Sequence, residues 1–148
     1  MSAALYNATI LRLAAAIPHD VRLPDAQASS DKRSPICGSR VTVDVVLDAE
    51  GRVAAVGQEV RACALGQASA SLMGAHAIGR SADELETARD ALAAYLAGDR
   101  PDPGDWPGLD IFLPARAHSA RHASIRLAFE AVADAARAAS AQAHEAAA

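Results

Sequence analysis

The two cysteines are the residues of this chain best suited to nucleophilic or metal-binding chemistry. Cys37 lies in the stretch SPICGSR, where a proline two residues earlier and a glycine directly after it let the thiol project from a tight bend. Cys63 lies in RACALGQASAS, directly before a helical pattern that begins at Ala64 or the next residue. A helix N-terminus stabilises a thiolate, which is the form that attacks electrophiles and binds metals. The two stretches therefore predict a thiolate site.

Other interpretations of the cysteines stay open on sequence alone. Free cysteine is among the most buried residue types and often acts as a small hydrophobic residue. A disulfide between Cys37 and Cys63 is sterically possible, but a reducing compartment would keep both thiols free. Two cysteines also fall short of the four ligands that a structural zinc ion or an iron–sulfur cluster needs.

A β-hairpin between the cysteines is the element that would bring them together. The segment from Val41 to Leu47 alternates apolar and polar residues, DAEG follows as a turn, and RVAAVGQEV returns as a second strand. A hairpin that turns at Ala49 and Glu50 places Cys37 opposite Cys63 or its neighbour. Opposed strand residues have Cα atoms roughly 4.5 to 5.5 Å apart, so we expect the two sulfurs to meet at the end of the sheet.

Helical patterns flank the hairpin and predict an α+β fold. They cover residues 1–18, 65–79 and 81–98, and a last helix that begins near residue 120. The polar stretch from residue 18 to 35 predicts a loop, although a third strand is expected near Arg33. Residues 99–114, which are rich in proline and glycine, predict a loop without helix, and residues 136–148 predict a frayed tail. We expect one domain over residues 1–148, with its core in residues 34–135, a three-stranded antiparallel sheet, and helices on one face.

Composition narrows the possible partners. The chain has 148 residues and a formal net charge of −4, which argues against binding nucleic acid or an anionic membrane through charge. No apolar run approaches the roughly 20 residues of a membrane span. Two cysteines and no export signal at the start indicate the cytoplasm, and the bias towards alanine, arginine, aspartate and glycine is typical of a GC-rich bacterial genome.

The motifs around the cysteines resemble a known family. PICG, a hairpin, and then CALGQASASLM are similar to the iron–sulfur cluster assembly scaffolds of the NifU, IscU and SufU type. The pattern of that family is Pro-x-Cys-Gly-Asp, two strands, Gly-Cys-Ala-hydrophobic-Ser-x-Ala-Ser-x-Ser, and a third cysteine ahead of a late helix. The resemblance covers about residues 5 to 135 and is strongest to the SufU branch, in which PARxKCxxLAW carries the third cysteine.

This chain departs from the family pattern at the remaining ligand positions. Aligning SARHASIRLAFEAV with the last motif matches Arg121 to its arginine and puts Ser124 at the third cysteine. A competing alignment through PARAHS puts Ser119 there instead, and we prefer Ser124 because the helix downstream then aligns without a gap. Ser39 replaces the aspartate after Cys-Gly, and Ala62 replaces the glycine before the second cysteine.

The resemblance implies a scaffold or carrier that binds iron, a [2Fe–2S] cluster or zinc and that catalyses no turnover of its own. The implied partners are a cysteine desulfurase and the proteins that accept the cluster. Cys37 and Cys63 are the retained ligands, and Ser39, His122 and Ser124 are weaker candidates. Serine is a poor ligand because its alkoxide is costly to form, whereas imidazole replaces thiolate in some clusters.

Two alternatives remain beside the scaffold hypothesis. The loss of two family ligands is also typical of an interaction or regulatory module that keeps the scaffold fold without stable metal. A third hypothesis is a metal-free protein that relays sulfur through Cys37 and Cys63.

Overall fold

A computed structural model describes residues 5–35 and 38–147, with side chains described as far as residue 145. The elements follow in the order α1 (Ala8–Ala15), β1 (Ala28–Arg33), β2 (Arg40–Leu47), β3 (Val53–Arg61), α2 (Ala64–His76), α3 (Ala82–Leu96), two 3-10 segments (Leu109–Ala117 and Ser119–Arg121) and α4 (His122–Ala147). The three strands form one antiparallel sheet in the order β1-β2-β3, which confirms the predicted α+β fold. None of the helices in the described part is long and apolar enough to cross a membrane.

Strand β1 supplies the third strand in the stretch that the sequence otherwise predicts as a loop. Its residues pair antiparallel with β2, from Ala28 opposite Val45 to Arg33 opposite Arg40. Alternate residues of β1 are exposed, because it is an edge strand with one face open to solvent. The expectation of a strand near Arg33 is thus confirmed, and the loop is limited to the residues around the strand.

The register of the hairpin differs from the predicted one. Over most of its length, β2 pairs one or two residues further along β3 than expected, and the ladder ends with Arg40 opposite Arg61. The pairing register shifts by one residue between Val46 and Leu47, next to the turn. Cys63 therefore lies beyond the end of β3 and is not a strand residue, and Cys37 lies outside the described residues. Cys63 is therefore not positioned by the predicted pairing with Cys37 across the two strands.

The sheet buries residues on both faces. Val41, Val43 and Val45 are fully buried on the face that the helices cover. On the other face, Asp44 is also buried. Its charge is compensated there because Arg22 donates two hydrogen bonds to its carboxylate at 2.7 and 3.0 Å, and Leu23 N–H and Ser29 Oγ donate one each. Burial alone would raise the pKa of Asp44, but these hydrogen bonds outweigh burial and hold its pKa below the ordinary value.

Helix α3 begins and ends where its local signals predict. The Ser81 side chain accepts a hydrogen bond from Glu84 N–H, and the Glu84 carboxylate accepts one from Ser81 N–H, which completes the predicted capping box. After Leu96 the chain turns at Gly98, whose φ of 85° is readily adopted by glycine alone.

Two predictions about the second half of the chain need correction. The stretch predicted as a loop without helix runs into the 3-10 segment Leu109–Ala117, which buries Leu109, Phe112 and Ala115. Their spacing of three residues matches the three residues per turn of a 3-10 helix, so one side of the segment faces the core. The tail predicted to fray is helical as far as Ala147, and its start is packed, because Ala136 and Ala139 are fully buried, whereas residues 141–145 are exposed.

Candidate functional site

Cys63 is positioned by the joint between strand β3 and helix α2. It occupies the N-cap of α2 with extended backbone angles (φ −66°, ψ 171°), and its side chain makes no capping hydrogen bond. The thiol is half-buried and forms no disulfide. Because the side chain does not cap the helix, the sulfur is left to contact other elements at the end of the sheet.

Ser124 is the residue that meets the Cys63 thiol. Its Oγ lies 3.3 Å from Cys63 Sγ and 3.2 Å from Ser39 Oγ. Ser124 lies in the first turn of α4, Ser39 directly precedes β2, and both are buried. The three side chains come from distant parts of the chain and meet through Ser124 Oγ, which is the arrangement expected of a hydrogen-bonded cluster or of neighbouring ligands.

Gly66 makes this close approach of helices α2 and α4 possible. A Cβ at position 66 would lie 2.5 Å from Ser124 Oγ and 2.7 Å from the Cβ of Ala62, and both distances are too short for a side chain. One turn further along α2, Ser69 Oγ donates a hydrogen bond of 2.5 Å to Ile125 O. Gly66 and Ser69 therefore hold Ser124 against the start of α2. Both residues lie in the motif CALGQASASLM, but the sequence predicted no contact for either, because a small residue in an alanine-rich helix gives no signal of what it contacts.

His122 and Ser119, which the sequence also placed near the site, have other surroundings. His122 is buried, and its Nε2 lies 2.9 Å from Ala115 O, so the ring fastens the first 3-10 segment to the start of α4. Ser119 is exposed in the second 3-10 segment. No described contact brings either residue to Cys63. The geometry therefore agrees with the alignment that uses Ser124.

The described donor set at the site consists of one thiol and two hydroxyls. Cys37, the other predicted ligand, lies outside the described residues. Within residues 5–35 and 38–147, no group of three or more histidine, cysteine, aspartate or glutamate side chains is arranged to hold a metal ion. Chemically, the described cluster offers one soft ligand and two weak oxygen ligands, and the Ser124 hydroxyl can also donate a hydrogen bond to the Cys63 thiolate.

Comparison with known proteins shows which solved structures this chain is similar to. No protein-family model matches the sequence, and no curated protein matches it. Among solved structures, the chain is similar to the N-terminal part of a NifU-like nitrogen-fixing protein from Brucella abortus, with 39% sequence identity and a TM-score of 0.88. That match covers 95% of this chain and 98% of the Brucella chain.

Two further solved structures share the fold at lower identity. A protein from Fervidobacterium islandicum, assigned as an iron–sulfur cluster assembly scaffold for the SUF system, has 19% identity and a TM-score of 0.83, over 92% of this chain and 99% of that one. A protein of unassigned function has 21% identity and a TM-score of 0.79, over 91% of this chain and 98% of that one.

Proposed function

This chain belongs to the NifU-like family of iron–sulfur cluster scaffold proteins, and we propose that it acts as a scaffold or carrier in iron–sulfur cluster assembly. The observation that carries the proposal is the convergence of Cys63, Ser39 and Ser124 at the end of the sheet. These are the positions at which the family pattern has cysteine, aspartate and cysteine. We infer that the fold keeps these positions together while the chemistry of two of the family's ligands has changed.

The cargo we propose is iron, a [2Fe–2S] cluster or zinc, bound mainly by the thiolates of Cys37 and Cys63. The Ser124 hydroxyl is close enough to Cys63 to act as a weak oxygen ligand, or to donate a hydrogen bond to its thiolate, and the Ser39 hydroxyl lies on the other side of Ser124 as a second oxygen donor. His122 is a less favourable ligand, because binding through Nε2 would break its contact with Ala115 O. A site with two thiolates holds its cargo less tightly than one with four, which suits a carrier that must release it.

The proposed partners are a cysteine desulfurase, as the sulfur source, and the proteins that accept the cluster. We place the protein in the cytoplasm, where both thiols stay reduced. In this role the protein binds and presents its cargo, and the chemistry that releases sulfur from cysteine belongs to the partner.

The test is anaerobic reconstitution with iron and sulfide, followed by measurement of bound metal and of the visible spectrum. We expect the wild-type protein to bind iron, and we expect Cys37→Ser and Cys63→Ser each to abolish binding. Ser140→Ala is the matched control, because Ser140 also lies on α4 but lines a cleft at the opposite, hairpin-turn end of the sheet. Iron binding that is unchanged in both cysteine variants would contradict the proposal.

A second candidate function is an interaction module with the scaffold fold and no stable metal. The observation that favours it is that Ser124 already contacts both Cys63 and Ser39, so the cluster is closed by its own hydrogen bonds. The same preparation separates the candidates. Protein that binds neither iron nor zinc but still associates with a cysteine desulfurase would favour the interaction module. Sulfane sulfur carried on the cysteines without metal would favour the sulfur relay.

A further inference from the structure

Three arginines lie side by side across the whole sheet at the end that carries the candidate site. Arg33 of β1 is directly opposite Arg40 of β2, and Arg40 is directly opposite Arg61 of β3. Directly opposed residues of neighbouring strands point to the same face of a sheet. Their side chains are exposed, with relative accessibilities of 66% for Arg33, 44% for Arg40 and 75% for Arg61. We call these three residues the arginine row.

The arginine row lies on the face away from α4. Lys32, the neighbour of Arg33, points to the other face and pairs with Asp134 of α4 at 2.5 Å. The row is also next to the site in the chain: Arg40 follows Ser39 directly, and Arg61 is two residues before Cys63. A molecule bound to the row would therefore lie at the rim of the site.

The charges on this face are only partly balanced. Asp31 accepts two hydrogen bonds of 2.9 Å from Arg40 and lies 3.7 Å from Arg33. Glu59 lies 3.3 Å from Arg61 and 3.9 Å from Arg22. Among the described residues, the ion pairs on this face join four guanidinium groups to three carboxylates, namely Arg22, Arg33, Arg40 and Arg61 to Asp31, Asp44 and Glu59.

The two outer arginines keep donors that the described carboxylates do not use. Like charges placed directly opposite each other across strands destabilise a sheet. Arg40 is committed to Asp31 through a bidentate contact, whereas Arg33 and Arg61 each make one longer contact. An added carboxylate would relieve the repulsion between these side chains and fill their remaining donors.

We propose that the arginine row is a docking surface for an acidic segment of a partner protein, and that it brings this partner to the site around Cys63. Strands lie about 4.8 Å apart, so Arg33 and Arg61 are about 10 Å from each other, and an extended segment with several acidic residues can bridge them. The chain as a whole has a net charge of −4, which disfavours a nucleic acid as the occupant but leaves a local positive row available to carboxylates. The idea that the docked partner gives cargo to the site or takes cargo from it rests on the proposed scaffold function.

The test measures the fluorescence anisotropy of a fluorescein-labelled hexaglutamate peptide titrated with the folded protein at low salt. We expect Arg33→Glu combined with Arg61→Glu to weaken peptide binding about tenfold. The matched control is Arg12→Glu combined with Arg100→Glu, which changes the net charge equally at sites away from the row, and we expect a change of less than twofold. Arg33→Gln combined with Arg61→Gln serves as a second variant in case charge reversal impairs folding, and circular dichroism checks all three.

The possible outcomes separate this inference from the proposed function. Equal weakening in the row variant and the control, or no peptide binding by the wild-type protein, would overturn the docking surface. A hexathymidine oligonucleotide that displaces the peptide at equal charge would overturn the choice of an acidic protein segment. Iron loading without any partner is a separate readout. If the docking test fails but the protein loads iron, the scaffold function stands without the docking surface. If the protein loads no iron but the row variants lose peptide binding, the docking surface stands without the scaffold function.

Discussion

Replacing Ser124 with cysteine should convert the weak site into a strong one. Two thiolates bound to one zinc ion in tetrahedral geometry lie about 3.8 Å apart, since each Zn–S bond is about 2.3 Å. Ser124 Oγ already lies 3.3 Å from Cys63 Sγ, so a sulfur at position 124 would need to move by only about half an ångström from the present oxygen. The longer C–S bond supplies much of this difference.

The expected gain in zinc affinity is about 100-fold. Structural zinc sites with four ligands bind with about 10 to 16 kcal/mol, or roughly 3 kcal/mol per ligand, which corresponds to about two orders of magnitude. The assay is competition for zinc against a chromophoric chelator under reducing conditions. Because Gly66 leaves little room beside position 124, we also expect a modest loss of stability, about 1 to 2 kcal/mol, in chemical unfolding of the metal-free protein.

The control for this prediction is Ser140→Cys, which adds a thiol to the same helix at the other end of the sheet. It should leave zinc affinity within a factor of two or three of the wild-type value. If Ser124→Cys binds zinc no more tightly than this control, then position 124 does not face the metal site. The reasoning that places the third family ligand there would be refuted.

Three further predictions concern the framework around the site. Gly66→Ala should destabilise the protein by about 1 to 3 kcal/mol in urea unfolding, because the added Cβ would collide with Ser124. Adding Ser124→Ala should recover part of this loss, and an equal loss with and without Ser124→Ala would contradict the prediction. The pKa of Asp44 is lowered in the folded state, so its contribution to stability is complete above its unfolded pKa of about 3.9 and is lost as the pH falls through the lower folded value. Asp44→Asn should therefore make the free energy of unfolding depend less on pH in this range, and an unchanged slope would contradict the prediction. Arg137→Ala should cost about 1 kcal/mol or less, and the loss should shrink in high salt, because its pairs with Asp83 and Glu86 are exposed to solvent; a salt-independent loss would contradict the ion-pair account.

Local signals in the sequence were enough to predict much of the fold. The capping box at Ser81, the stop at Gly98 and the strand predicted from Val41 to Leu47 each depend on residues a few positions apart, and the structure shows all three, although both faces of that strand are buried. The register of the hairpin was missed because a single irregularity between Val46 and Leu47 shifts every later pair, and no local pattern reports it.

The remaining errors arise where burial depends on distant parts of the chain. Strand β1 is polar because its outer face is open to solvent, so its sequence resembles a loop. The tail of α4 buries alanines such as Ala136 and Ala139, which a search for large apolar residues does not detect. The position of Ser124 was predicted only through the family resemblance. Its contact with Cys63 depends on Gly66, whose role is visible only once the helices are packed.

The most direct test of the site is a cobalt titration of the reduced, anaerobic protein, followed by the thiolate-to-cobalt charge-transfer absorption. This signal reports metal–sulfur bonds without any need for cluster chemistry. Cys63 is the thiol among the described donors, so we expect the absorption in the wild-type protein and its loss in Cys63→Ser, while Ser140→Ala retains it. The same absorption in Cys63→Ser, or none in the wild-type protein, would contradict a metal-binding site at this joint.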